Sequence, residues 1–168
     1  MSGSPFAAGT NAIAIAFDPT GGFAYVANDA SNNVSAFKVD PINGTLTSIS
    51  GSPFTAGTQP SSAAGDPNGN FVFVGNAGGN VSAYAIAPTT GALTPVAGSP
   101  FAAGIGGSLY IAVDHSGTYA YVLNSASNSV YVYSIDPTVG ALTPIAGSPF
   151  PVNAHQPSPF AIAVTAFP

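Results

Sequence analysis

Apart from tyrosine, the side chains from which this sequence could build acid–base chemistry are six aspartates, two histidines and one lysine, with no glutamate, arginine or cysteine. Hydrolysis of an ester needs a general base and donors that hold an oxyanion. A zinc site needs several His or Cys, and a calcium site needs six to eight oxygens, usually with several carboxylates. Five aspartates stand where turns use them. Asp18, Asp66 and Asp114 each open a four-residue turn ending in Gly, and Asp40 and Asp136 open a second type of turn. Aspartate is favoured there because its carboxylate bonds the backbone two residues on. Asp29 is the exception, lying beside Asn28, Asn32 and Asn33 in a polar loop. His115 replaces the proline of an Asp-Pro turn and is read as a turn residue, whereas His155 falls in a Pro-rich connector, 151–159, that breaks the pattern. Asp29, Asn32, Asn33 and His155 are therefore the expected ligand-binding residues. No catalytic residue, metal site or cofactor is assigned.

The nucleophile and phosphate motifs are missing as well. Serine and threonine are plentiful, but no Gly-x-Ser-x-Gly elbow stands between a strand and a helix. The glycine-rich run Ala103-Gly104-Ile105-Gly106-Gly107 precedes no helix that could hold a phosphate, so it reads as a linker. Charged residues make up 4% of the chain and the net charge is −5. With Lys38 as the sole basic chain, a run of nucleic-acid phosphates cannot be neutralised, and an anionic membrane surface offers no attraction. No apolar run reaches the roughly 20 residues of a membrane helix, and no signal peptide is visible at the start.

These residues are positioned by a repeat. Gly-Ser-Pro-Phe begins at Gly3, Gly51, Gly98 and Gly147, at spacings near 48 residues, and Asp18, Asp66 and Asp114 keep the same spacing, as do Asn28, Asn76 and Asn124. Each copy predicts four short strands. A small-residue strand (Ala12 to Phe17, Ser61 to Gly65, Leu109 to Val113) leads through the Asp turn to an aromatic and β-branched strand beginning at Phe23, Phe71 or Tyr119. A third strand alternates as a half-buried strand does (Val34 to Val39, Val81 to Ile86, Val130 to Ile135), and a fourth runs from Leu46, Leu93 or Leu142. Gly-Ser-Pro-Phe then reads as the link to the next copy. Four strands per period of this length describe the blade of a β-propeller, a sheet covered on both faces by its neighbours. The fold is expected to be all-β: three four-stranded antiparallel blades plus one extra C-terminal strand. The chain is read as a single partial propeller domain over 1–168, with blade repeats at about 3–50, 51–97 and 98–146. Residues 147–168 supply a connector and the first strand of a further blade.

The strand exits Tyr25-Val26-Ala27-Asn28, Phe73-Val74-Gly75-Asn76 and Tyr121-Val122-Leu123-Asn124, with the Asp turn before them and Gly-x-Leu-Thr after, resemble the YVTN-type β-propeller repeat. The pattern is similar to that of the seven-bladed lactonase-like family, which includes bacterial 6-phosphogluconolactonases. The resemblance implies about half of such a propeller and an extracellular or periplasmic location. It carries over no catalytic residue, because the Arg, Glu and most His residues of a sugar-phosphate site are absent.

A wedge of three blades leaves apolar faces uncovered. Self-association is expected through these faces and the terminal strand Phe160–Thr165, giving a homo-oligomer with no nucleic-acid or membrane partner. A small molecule or glycan is left open as ligand. The shortage of acid–base groups makes a non-enzymatic structural, surface or binding scaffold the leading expectation. The alternatives are a lactonase-like hydrolase of a sugar or muconolactone-type lactone, and a carbohydrate-binding, lectin-like propeller.

Overall fold

In a computed structural model that describes residues 3–152 and 161–163, the chain forms three antiparallel sheets in succession. Blade 1 contains β1 (Ala12–Phe17), β2 (Phe23–Asn28), β3 (Asn33–Val39), β4 (Leu46–Ser48) and β5 (Phe54–Thr55). Blade 2 contains β6 (Pro60–Gly65), β7 (Phe71–Asn76), β8 (Asn80–Ile86), β9 (Leu93–Pro95) and β10 (Phe101–Ala102). Blade 3 contains β11 (Leu109–Val113), β12 (Tyr119–Asn124), β13 (Ser129–Ile135), β14 (Leu142–Pro144) and β15 (Phe150–Pro151). In every sheet the first three strands pair in chain order, and the third carries both later pieces. No helix among the described residues is long and apolar enough to cross a membrane. Of the expected terminal strand Phe160–Thr165, Ala161–Ala163 belongs to no strand, and the rest lies outside the described residues.

The fold departs from expectation at Gly-Ser-Pro-Phe, which does not link blades but sits inside the outer strand. β4 pairs with the end of β3 (Val39↔Leu46), and β5 pairs with its beginning (Val34↔Phe54). Between them the ladder is bridged by a side chain, because Ala36 N donates to Ser52 Oγ at 2.9 Å. Ala83 N donates to Ser99 Oγ at 2.9 Å and Val132 N to Ser148 Oγ at 3.0 Å in the same place. Proline has no N–H to give, and the neighbouring serine hydroxyl supplies the acceptor the strand amide still needs.

The central strand of the middle blade is apolar on both faces because both are covered. β7 is buried at all six positions. One face joins Val72 and Val74 to Tyr25, Ala27 and Val34 of blade 1, and the other joins Phe71 and Phe73 to Ile111, Val122 and Tyr133 of blade 3. Full burial of one such side chain contributes about 1.5–3 kcal/mol.

Glycine sets the closeness of approach. A Cβ on Gly65 would lie 2.6 Å from the carbonyl oxygen of Phe17, so β6 meets β1 nearly backbone to backbone. Gly91 and Gly140 have φ near +70° and present bare backbone to Phe23 and Phe71 of the preceding blade, where a Cβ would come within 2.4 Å of the ring. Polar groups stitch the same interfaces. Tyr25 Oη donates to Gly91 O at 3.0 Å, Tyr84 Oη to Thr55 O at 2.5 Å, and Tyr133 Oη to Ala102 O. Between the inner strands, Leu109 N and Ile111 N donate to Ser61 Oγ and Ser62 Oγ at 3.1 Å each, and both hydroxyls donate back to Leu109 O.

Burial, reinforced by the neighbouring Tyr131, pushes the Tyr133 phenol up to about 12 from its ordinary 10. The neutral phenol therefore stabilises the folded state below pH 10, and this contribution is lost as pH rises from there through about 12. Tyr133→Phe should cost about 1 kcal/mol at neutral pH and flatten the alkaline decline of thermal stability between those values. Gly140→Ala should cost about 1–3 kcal/mol in chemical denaturation, from strained backbone and the clash with Phe71.

Candidate functional site

The residues expected to bind ligand are occupied in holding the β2–β3 end of blade 1 together. Asp29 Oδ2 accepts from Asn11 Nδ2 at 2.9 Å, and Asp29 N donates to Asn11 O at 2.9 Å. Asn32 has φ +53° and fills the left-handed position that Gly79 (φ +86°) and Asn128 (φ +47°) fill in the other blades. Its Oδ1 accepts from Gln59 N at 2.7 Å. Asn33 Oδ1 accepts from Asn28 Nδ2 at 2.8 Å. His155 lies outside the described residues. Asp29, Asn32 and Asn33 thus share one loop but direct these polar atoms at protein partners. Among the described residues no three His, Cys, Asp or Glu gather as metal ligands.

The buried asparagines that close each second strand have a role that sequence reasoning left unassigned. Asn28, Asn76 and Asn124 are fully buried. Asn28 joins Gly9 N, Asn33 and Ser35, while Asn124 accepts from Ala126 N and Ser127 N and donates to the carbonyls of Ala103 and Ile105. Asn28 and Asn124 tie the segment that enters the blade to its own hairpin, whereas Asn76 donates to Asn80 and Ser82 within its hairpin. The 48-residue spacing of these asparagines was the signal that could have found them.

The opposite end of the strands holds a different arrangement. Between blades 2 and 3 lies a cleft of about 390 Å³ bordered by Asp66, Asn68, Asn70, Phe71, Ser116 and Thr118. Asp66, Asn68 and Asn70 come from the first turn of blade 2 and its exit, Ser116 and Thr118 from those of blade 3, and Gly117 brings the turns together: a Cβ there would lie 2.7 Å from Asp66 Oδ1.

The three turn aspartates are not equivalent. Asp18 accepts from Phe23 N at 2.6 Å, Thr20 N at 3.1 Å and the Thr20 hydroxyl. Asp114 accepts from Tyr119 N at 2.7 Å, Ser116 N at 3.2 Å and the Ser116 hydroxyl. Asp66 has Asn68 where the others have a hydroxyl, and accepts only from Asn70 N and Asn68 Nδ2, each at 3.2 Å. It is nevertheless the most buried of the three at 3% exposure. A carboxylate has about four acceptor sites. Asp66 therefore keeps unused capacity beside a cavity that also offers amide and hydroxyl groups. Such a site can hold a polyol through its hydroxyls, and its carboxylate can take a proton from a water placed there. Lys38, the chain's one basic residue, is exposed on blade 1, so the cleft has no Lys or Arg to hold a phosphate.

The model of the lactonase family of seven-bladed β-propellers matches residues 1–108, and the chain belongs to that family. Among solved structures, a candidate 6-phosphogluconolactonase of Bacteroides uniformis superposes with a TM-score of 0.74 at 25% identity, over 83% of this chain and 40% of that one. A second, from Bacteroides fragilis, gives 0.71 at 25% identity, over 79% and 37%. The periplasmic gluconolactonase of Pseudomonas aeruginosa shares the fold, with a TM-score of 0.66 at 18% identity, over 79% and 39%. The chain thus spans about two fifths of the length of these structures. No curated protein matches it. These likenesses correct the expectation of a non-enzymatic scaffold: the family and the two structures at 25% identity favour the lactonase-like alternative. The count of acid–base residues pointed the other way, but it left out the acceptor capacity that Asp66 keeps beyond its turn bonds.

Burial alone would raise the Asp114 carboxyl, but bonds from the Ser116 hydroxyl and the amides of Tyr119, Ser116 and Thr118 hold it below its ordinary value of 3.8. Its contribution is complete above that value and is lost as pH falls through the lowered one. Asp114→Asn should destabilise by roughly 1 kcal/mol at neutral pH, with the difference from the parent shrinking below pH 3.8. Asp66→Asn should cost less, since it has fewer and longer bonds to lose; parallel urea titrations at neutral pH rank the two.

Proposed function

We propose that the chain contributes to a lactone-hydrolysing propeller whose substrate is a neutral sugar-acid lactone, and that the cleft at Asp66 receives it. Membership of the lactonase family carries this reading. The chemistry of the cleft supports it: Asp66 is the base that removes a proton from the attacking water, and the amide and hydroxyl groups of Asn68, Ser116 and Thr118 receive the sugar hydroxyls and the developing oxyanion. Water adds to the lactone carbonyl, the ring C–O bond breaks, and the ring oxygen leaves as a hydroxyl carrying a proton, to give the hydroxy acid. The uncharged substrate follows from a cleft without Lys or Arg. An extracellular or periplasmic location accompanies this reading, on the strength of family resemblance; fractionation of the source cells that recovered the protein in the cytoplasm would remove that part.

Base-free hydrolysis of gluconolactone is the reference for the test. The purified protein should accelerate acid release above that rate, and a 6-phosphate on the lactone should bring no gain. Asp66→Asn should lower kcat/KM by about 100-fold, the lower end of general-base contributions, while the protein keeps its fold. Acceleration that survives Asp66→Asn would place the chemistry elsewhere, and no acceleration by the folded protein would sink the reading.

A further inference from the structure

The interface between blades 1 and 2 and the one between blades 2 and 3 differ at one position of the third strand. Ser82 of β8 pairs with Val74, and Tyr131 of β13 pairs with Val122, so the two residues are equivalent. Both lie on the strand face that meets the preceding blade, as do Tyr84 and Tyr133 two residues on, whose hydroxyls bond Thr55 O and Ala102 O. Between blades 2 and 3 the Tyr131 ring packs against the apolar cluster the two blades share. A Cβ on Gly104 would lie 2.2 Å from Tyr131 Oη, so bare backbone receives the phenol.

Between blades 1 and 2 that ring is replaced by the small Ser82. A hollow of about 230 Å³ lies there, bordered by Gly57, Ser82, Tyr84, Pro95 and Pro100. Gly57 holds the place of Gly104, each standing three residues after the phenylalanine of the last strand piece, Phe54 or Phe101. Tyr84 and the two prolines give the hollow apolar walls. A cavity of about 150 Å³ is enough for benzene, so one ring fits. Polar groups gather around Gly57. Asn80 Oδ1 stands 2.6 Å from where a Cβ on Gly57 would lie, much as Tyr131 Oη stands over Gly104, and it accepts from Asn76 Nδ2 at 2.9 Å. Blade 3 has the smaller Ser129 at that position. Ser82 Oγ accepts from Gly57 N at 3.1 Å and from Asn76 Nδ2 at 2.9 Å, which leaves its own proton to donate. Asn76 Oδ1 is buried without a partner, whereas Asn28 Oδ1 and Asn124 Oδ1 accept backbone amides.

We propose that this hollow binds a small phenol, its ring in the space that Tyr131 fills one blade further on and its hydroxyl at Asn80 and Ser82. The phenol O–H donates to Asn80 Oδ1, and the Ser82 O–H donates to the phenol oxygen. None of the bordering residues is charged, so the neutral phenol is bound rather than an aromatic acid. The site shares no residue with the cleft at Asp66 and does not rest on the function proposed for that cleft.

Titration with p-cresol, the tyrosine side chain as a free molecule, should give saturable one-to-one binding in the millimolar range, with NMR shifts centred on the amides of Gly57, Ser82 and Tyr84. Toluene, the same shape without the hydroxyl, should bind about tenfold more weakly. Building the ring into the chain with Asn80→Ser and Ser82→Tyr together, which copies Ser129 and Tyr131, should abolish binding. Tyr131→Ala should open a second site, raise the stoichiometry to two, and melt at a lower temperature that p-cresol restores. A folded parent without saturable binding would overturn the proposal, as would unchanged binding by the folded double variant. If the double variant does not fold, Tyr131→Ala decides, and a stoichiometry that stays at one overturns the equivalence on which the site rests. Equal affinity for toluene and p-cresol would overturn the assignment of a phenol.

Discussion

The structure depends on sheets meeting face to face at a distance set by backbone. Neighbouring blades approach more closely than ordinary side chains allow at the inner strand, where Gly65 meets the Phe17 carbonyl, and at the second turns, where Gly91 and Gly140 meet aromatic rings. The larger residues sit on the middle strands, where Tyr25, Phe73, Tyr84 and Tyr133 are buried between blades. Small inside and large outside is the taper of a wedge, so the radial geometry is already present in the side-chain volumes. It also explains why few charges suffice. A blade covered on both faces has little surface for them, and the polar needs of the interior are met by serine, asparagine and tyrosine bonding to backbone.

The same arrangement creates the cleft. First turns lie one above the next around the stack, and the pairing of a tight residue, Gly117, with a turn that has lost its hydroxyl, Asn68 for Thr20 or Ser116, opens space beside a buried carboxylate. A repeat whose turn carboxylate is bonded by a hydroxyl in two copies leaves that carboxylate with fewer bonds in the remaining one through one substitution. Function in a fold of this kind resides in the deviations between copies, because the shared residues are committed to turns and packing.

Much of this was legible in the residues. The four strands per copy followed from turn residues and alternation, and the turn role of Asp18 and Asp114 from their place at the head of a four-residue turn ending in Gly. The Gly-Ser-Pro-Phe motif was misread because Pro and Gly ordinarily mark chain leaving a sheet. Here the serine hydroxyl substitutes for the missing ladder partner, and pairing resumes at Phe54, Phe101 and Phe150. Asp29, Asn32 and Asn33 are legible in the sequence as polar density, and the structure adds where their side-chain oxygens are directed, onto Asn11, Gln59 and Asn28. The cleft was invisible for the converse reason: its walls come from turns 48 residues apart, and local reading assigns each to its own hairpin.

The broken outer strand has a consequence for solubility. A sheet edge is a template for the edge of another molecule, and proteins commonly blunt it with lysine. This chain has one lysine to spend on three blades. Its outer edges are instead interrupted midway and studded with proline: Pro95, Pro100, Pro144 and Pro149 lie in or beside the outermost pieces. No continuous row of free amides remains for a stranger to pair with. Protection against edge-to-edge aggregation is thus written into backbone chemistry, where neither pH nor salt can switch it off.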